Sequence, residues 1–240
     1  DGTDELEILR RAILGRIIAA EDVAAIVVEP IQGEGGYFPA PRAFLDGLRE
    51  VCNEHGILLI ADEIQSGMGR TGRWWALEHV GIEPDIVTTA KGIASGMPIG
   101  AFIGRESLWT WKPGAHGSTF AGNPVCAAAA LATLDLLDGG LIANAARMGS
   151  RLKAGLEQVG AAHSQVRDIR GIGLMIGVEF DTHDQAAAVE RAAFERGLLT
   201  LECGESTLRF CPALIVDEPA VDTALRLFGE ALTAVLGADA

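Results

Sequence analysis

Three residues in the first half of this 240-residue sequence have the types and spacing to do chemistry together: Glu29, Asp62 and Lys91. Each sits at or just beyond the end of a short apolar run that reads as a buried strand. In parallel α/β sheets functional groups gather at the carboxyl ends of strands, because the loops there converge on one crevice. The use of lysine sharpens the point. Of 19 basic residues only Lys91, Lys112 and Lys153 are lysines. Lys153 falls on the polar side of an amphipathic helix and reads as solvated. Lys112 stands in Trp-Lys-Pro-Gly, a turn sequence. Lys91 follows a buried strand and precedes Gly92, and burial of a lysine amine favours its neutral, nucleophilic form.

A carboxylate and an amine at neighbouring strand ends have three uses: an ion pair, a general acid/base pair, or the two anchors of a pyridoxal phosphate ring. In the last case the amine forms a Schiff base, and Asp62 keeps the ring nitrogen protonated so that the ring accepts electrons. The plain alternatives stay open at this level: Lys91 in a structural ion pair, Asp62 capping the segment after its strand, Gln65 as a surface amide. Other chemistries are excluded. The cysteines (52, 126, 203, 211) and histidines (55, 79, 116, 163, 183) show no metal-ligand spacing. Gly67–Gly72 is not a Walker loop. Gly171–Gly177 lacks the dinucleotide spacing and precedes a strand instead of following one.

The elements that must position these residues follow from periodicity. Asp4 with Glu7 reads as a capping box ahead of Leu6, Leu9, Ile13 and Ile17 at helical spacing. Ala25–Glu29 is a continuous apolar run, expected to be a strand buried on both faces. Pro41 opens a helix carrying Phe44, Leu48, Val51 and Cys52 on one side, and Gly56 stops it. Residues 57–61 form a second strand. A helix over about 73–80 leads to a third strand at 85–89, and 99–103 reads as a fourth. After an Ala-rich helix over 124–138 the character changes. A helix over 141–159 with one apolar stripe precedes strands at 174–180, 198–202 and 207–210 and helices near 184–196 and 217–235. The expected fold is α/β: a mostly parallel sheet through residue 138, and a smaller α+β domain over 139–240.

Composition bounds the rest. With 49% hydrophobic residues and a mean hydropathy of +0.26, disorder is excluded. No apolar run approaches the roughly 20 residues of a membrane span, so no membrane partner is expected. A net charge of −14 argues against nucleic acid. Four scattered cysteines fit buried thiols in a reducing, cytoplasmic compartment. Thirty glycines imply many tight turns. The opening Asp1-Gly-Thr-Asp reads as an internal start.

Longer segments are more specific than these residues taken singly. Glu29-Pro-Ile-Gln-Gly-Glu34-Gly-Gly36, Ile60-Ala-Asp62-Glu-Ile-Gln65-Ser-Gly-Met-Gly-Arg-Thr-Gly72, Thr89-Ala-Lys91-Gly, Ser118-Thr119-Phe-Ala-Gly-Asn-Pro124 and Arg170-Gly-Ile-Gly-Leu174 occur in that order. Together, from about residue 20 to 236, they resemble the signature of class III pyridoxal-phosphate aminotransferases. The resemblance implies a fold-type I enzyme with residues 1–138 as the later part of the large cofactor-binding domain and 139–240 as the small domain. It implies that Lys91 holds the cofactor as a Schiff base and moves the substrate proton, that Asp62 holds the pyridine nitrogen, and that Gln65 holds the ring hydroxyl. Thr119 would reach the cofactor phosphate of a neighbouring subunit, which implies a homodimer or higher oligomer with shared sites. Arg209 would bind the α-carboxylate of glutamate or 2-oxoglutarate. Glu34 would pair with Arg209 while an ω-amino substrate is bound, and Glu29 would lie near the amine-binding region. A movable Glu–Arg pair lets one site accept a dicarboxylate in one half-reaction and an end without that carboxylate in the other.

Within the family, Asp62-Glu-Ile-Gln65 is similar to true aminotransferases, and Glu29–Gly36 is most similar to 4-aminobutyrate enzymes. Met97–Gly100 and Lys112–His116 are also similar to ornithine aminotransferases and racemases. The expected reaction is transfer of an amino group from 4-aminobutyrate to 2-oxoglutarate. Ornithine or acetylornithine as donor, or racemisation, are the alternatives. The family's phosphate-binding loop and ring-stacking aromatic are not found before Glu29, so the chain reads as little more than half of such an enzyme. A reading of another class follows: a fragment that associates without turnover.

Overall fold

The computed structural model describes residues 2–237 and packs into two units. The first takes in the chain up to Pro30, Ala40–Met68 and Trp75–Gly139. The second takes in Ile31–Pro39, Gly69–Trp74 and the chain from Gly140 onward.

In the first unit, helix α1 (Thr3–Glu7) continues as a wide π-type helix through Ile8–Ile17. Its N-cap is Gly2, with no side-chain cap, so Asp4 and Glu7 do not form the expected capping box. Strand β1 (Ala25–Val28) leads to helix α2 (Arg42–His55) and strand β2 (Leu58–Asp62). The buried Leu45, Leu48, Val51 and Cys52 recur on one face of α2, which therefore lies on the sheet. The helix stops because Gly56 turns left-handed at φ 69°, a conformation without a Cβ penalty for glycine. Leu45, Leu48 and Cys52 meet Ile57, Leu59 and Ala61 in the core. Each such large side chain contributes roughly 1.5–3 kcal/mol on burial. Strands β3 (Ile86–Thr89) and β4 (Ala101–Gly104) and helix α3 (Pro124–Leu136) follow.

The sheet order is β1-β2-β3-β4, with β1, β2 and β3 parallel and β4 antiparallel to β3. Three expectations change here. Val27 is 62% exposed, so over the span that this chain covers one face of β1 is open and the strand is not buried on both faces. The expected 73–80 helix is one 3-10 turn, Ala76–His79, opened where the Trp75 N–H donates to Glu78 Oε1 at 2.9 Å. The run Pro124–Gly160 is long and apolar enough, by length and composition, to cross a membrane, where none was expected. Gly140, at φ 130°, breaks that run.

The second unit holds helix α4 (Ile142–Gly160), the hairpin of β5 (Val166–Ile172) and β6 (Met175–Phe180), helix α5 (His183–Glu195), strands β7 (Leu201–Cys203) and β8 (Thr207–Phe210), and helix α6 (Glu218–Leu236). Its sheet is antiparallel throughout, in the order β5-β6-β8-β7. The stripe of Ala145, Met148, Leu152 and Leu156 on α4 is buried against β6, β8 and α6, where Phe210 meets Phe228 edge-on at 4.9 Å. Strand β5 was not foreseen: its Arg167, Asp168 and Arg170 mask any apolar alternation.

The segment 69–74 docks on this unit. Leu174 N–H donates to the Arg70 carbonyl at 2.9 Å, and the Arg70 guanidinium returns bonds to the carbonyls of Leu174 and Pro212 at 3.2 and 2.5 Å. Gly173 permits the contact. It stands at φ 59°, and a Cβ there would lie 2.4 Å from the Thr71 carbonyl carbon.

Candidate active site

Within the first unit the register places the candidate residues on adjacent strand ends. Asp62 is the last residue of β2 and pairs with Thr88 of β3, three residues before Lys91. Glu29 follows Val28, which pairs with Ala61. Glu29, Asp62 and Lys91 therefore come from three neighbouring strands at one end of the sheet, whose backbones run about 4.8 Å apart. Asp62 is half-buried, and its Oδ1 accepts the Ile64 N–H at 3.0 Å, so it also caps the turn that carries the half-buried Gln65.

Lys91 is held in the left-handed region at φ 44°, uncommon for a residue with a side chain. Met68, at φ 53°, is another such residue in this unit. Backbone strain of this kind, of order 1–3 kcal/mol per residue, collects at functional sites. Over the span that this chain covers, Lys91 is exposed at the start of the turn beyond β3, and Thr89 before it is buried. Thr119 is also exposed, in the loop ahead of α3.

Glu63 was missed by the sequence reading. Its side chain is wholly buried between the Asp62–Gln65 turn and the Ala76–His79 turn. Oε2 accepts the Ser66 hydroxyl at 2.5 Å and Oε1 accepts the Leu77 N–H at 3.0 Å. Burial pushes its carboxyl up, and the bonds from Ser66, Leu77 and Ala76 oppose that only in part. The signal was the second acid of Asp62-Glu63, which periodicity alone treats as one more polar residue.

The second unit brings Glu34 and Arg209 together. Arg209 lies on β8, between Gly177 of β6 and Leu201 of β7, and its Nη1 donates to Glu34 Oε1 at 2.5 Å. Burial works against the charge on Arg209, but the hydrogen bond and charge of Glu34 outweigh it and raise its pKa. Arg209 Nε is buried and makes no hydrogen bond. Glu34 belongs to the loop Ile31–Pro39, closed by the Ile31–Pro39 bridge and by the Gln32 N–H donating to the Phe38 carbonyl at 3.0 Å. Within that loop Tyr37 is buried and left-handed at φ 58°. Burial, then the Cys211 thiol beside it, push the Tyr37 hydroxyl far above its ordinary range. Nearby, burial pushes the Cys203 thiol up to about 11 against the pull of Arg209 and Arg170.

This donor set suits a flat aromatic ring that carries a basic nitrogen and an aldehyde: a carboxylate and a primary amine one strand apart, with an amide in the adjoining turn. The Glu34–Arg209 pair suits an anionic substrate group, because an exposed carboxylate neutralises a guanidinium whose side chain is 16% exposed and can be displaced by another carboxylate.

Comparison with known proteins agrees with this chemistry. The family model of the class-III aminotransferases matches residues 4–232. Acetylornithine aminotransferase of Thermosynechococcus vestitus is 48% identical over 214 residues, covering 88% of this chain and 52% of that protein. The 4-aminobutyrate aminotransferase GabT of Escherichia coli is 40% identical over 224 residues, covering 88% and 53%. A transaminase from the marine bacterium Virgibacillus superposes with a TM-score of 0.92 at 30% identity, covering 98% of this chain and 58% of that one. The chain spans about half the length of the curated relatives it matches. Over the span that it covers, the chain belongs to the class-III aminotransferase family, whose cofactor is pyridoxal phosphate.

Proposed function

We propose that the protein carrying this chain is a pyridoxal-phosphate transaminase that moves the terminal amino group of an ω-amino acid to 2-oxoglutarate. The observation that carries the reading is the placement of Lys91, in a strained turn at the end of β3, one strand from Asp62 at the end of β2. When bound, pyridoxal phosphate supplies an electron-accepting ring and an aldehyde carbon that carries the amino group between two substrates. In this reading Lys91 holds the cofactor, and its Nζ takes and returns the proton at the amine-bearing carbon of the substrate. Asp62 keeps a proton on the ring nitrogen, and Gln65 donates to the ring oxygen. Glu29 lies near the amine-binding region, Arg209 binds the dicarboxylate, and Glu34 masks Arg209 when the donor lacks that group.

For the donor, the acetylornithine enzymes, up to 48% identical, favour N-acetylornithine over the expected 4-aminobutyrate, for which GabT is 40% identical. A panel of N-acetylornithine, ornithine and 4-aminobutyrate with 2-oxoglutarate separates them. Thr119 acts in a second copy of the chain in this proposal. The exposed Phe120, Val125, Leu131 and Leu136 that follow it offer an apolar surface for such a partner.

The test is covalent. The full-length protein mixed with pyridoxal phosphate should turn yellow, lose the colour with donor, and after borohydride carry the cofactor on the peptide containing Lys91. Lys91→Ala should abolish transamination and leave dimerisation intact. A protein that stays colourless, with nothing fixed on Lys91, refutes the reading.

A further inference from the structure

Arg170 is 7% exposed and uses its whole guanidinium. Nε and Nη2 both donate to the Gly36 carbonyl, at 2.9 and 2.6 Å, and Nη2 also donates to Thr207 Oγ1 at 2.8 Å. Nη1 donates to Asp168 at 3.0 Å and to Glu179. The flat face of the group lies 3.5 Å from the centroid of the Phe38 ring. One side chain from β5 thus grips the Ile31–Pro39 loop by a backbone carbonyl and by a ring, and ties both to Thr207 of β8. Glu34 lies two residues before Gly36 on that loop, and Arg209 lies two residues after Thr207 on β8. Both partners of the ion pair are therefore positioned from Arg170. A lysine could not reproduce this, because it lacks the planar fork that meets one carbonyl twice while stacking on a ring.

We propose that Arg170 is a positioning residue for the Glu34–Arg209 pair: its grip on Gly36 and Phe38 sets the reach of the loop, and so decides how well Glu34 masks Arg209 when the donor is bound. The proposal rests on the reading of Arg209 as the dicarboxylate site. Loosening the loop removes an internal competitor for Arg209. Donor binding should therefore weaken while dicarboxylate binding holds or tightens, whereas simple damage to the site weakens both.

The experiment uses the full-length holoenzyme, with glutarate as a non-reacting dicarboxylate measured by calorimetry and steady-state KM for the ω-amino donor. Arg170→Lys is expected to leave glutarate affinity unchanged or raise it up to about 5-fold, and to raise donor KM about 5-fold with kcat little changed. Parallel weakening of glutarate and donor, or no change in either, overturns the proposal. Phe38→Leu, at a partly exposed ring, leaves the buried hydrogen bonds in place. It should show the same split at about 2-fold, and it carries the decision by the same criteria if the Arg170 variant does not fold. Arg209→Gln separates the underlying reading. Loss of at least about 10-fold in glutarate affinity is expected, and an unchanged affinity means that the dicarboxylate reading itself fails.

Discussion

Replacing Glu63 tests the framework under the proposed cofactor site. Glu63→Ala leaves the N–H groups of Leu77 and Ala76 without their acceptor in a site with no solvent access. An unsatisfied buried donor costs about 1–3 kcal/mol, and the emptied volume adds to it. Escape from burying a carboxyl offsets part of this, so the net loss should be about 3–4 kcal/mol. Glu63→Gln keeps an oxygen for Leu77, and the Ser66 hydroxyl can turn to accept from the new amide, so its cost should be about 1 kcal/mol or less. The pH dependence has a definite sign. Burial raises the folded carboxyl above its ordinary 4.5, so the folded state keeps a proton that the unfolded chain releases. Wild-type stability therefore falls as pH rises from 4.5 through the raised folded value, and the Gln variant gains on it over that window. Urea unfolding followed by tryptophan fluorescence from pH 4.5 to 8 reads both effects, the pH effect being taken as the difference between wild type and the Gln variant at each pH. An Ala variant within 1 kcal/mol of wild type, or wild-type stability rising with pH relative to Gln, would refute the reasoning.

Asp85 should behave in the opposite way. Burial tends to raise its carboxyl, but the Leu59 N–H, Arg49 at 2.8 Å and Arg105 at 3.5 Å outweigh it and hold it below the ordinary 3.8. Its contribution is present above that value and is lost as pH falls through the folded value. Asp85→Asn should cost about 2 kcal/mol near neutrality, with the difference shrinking below about pH 4 in thermal melts. Among the cysteines, Cys211 is exposed, whereas Cys52 and Cys203 are buried with thiols pushed up by that burial. Iodoacetamide at pH 8 should label Cys211 first, and peptide mass spectrometry showing Cys203 labelled as fast would contradict the packing around it.

Much of the local structure was legible because burial leaves a period in the chain. The 3.6-residue recurrence in α2 and α4 and the apolar runs of β1, β2 and β3 mark elements that sit where expected, and they bring Glu29, Asp62 and Lys91 to one end of one sheet. The antiparallel direction of β4 and the polar strand β5 left no such mark, since pairing is a matter of hydrogen bonds between distant segments. The segment motifs carried the family, which residue types alone left open against ion pairs and caps.

What the sequence by itself determined was which groups stand at strand ends and which segments form the elements, because both are set by neighbours a few residues away. The Glu34–Arg209 pair was implied by the motifs alone through the family resemblance, and the structure closes it across 175 residues. Only the tertiary structure decided that Glu63 is sealed from water, that Tyr37 and Lys91 are left-handed, and that Arg170 grips the loop. Each of these depends on desolvation and on contacts between remote segments, and no local period encodes them.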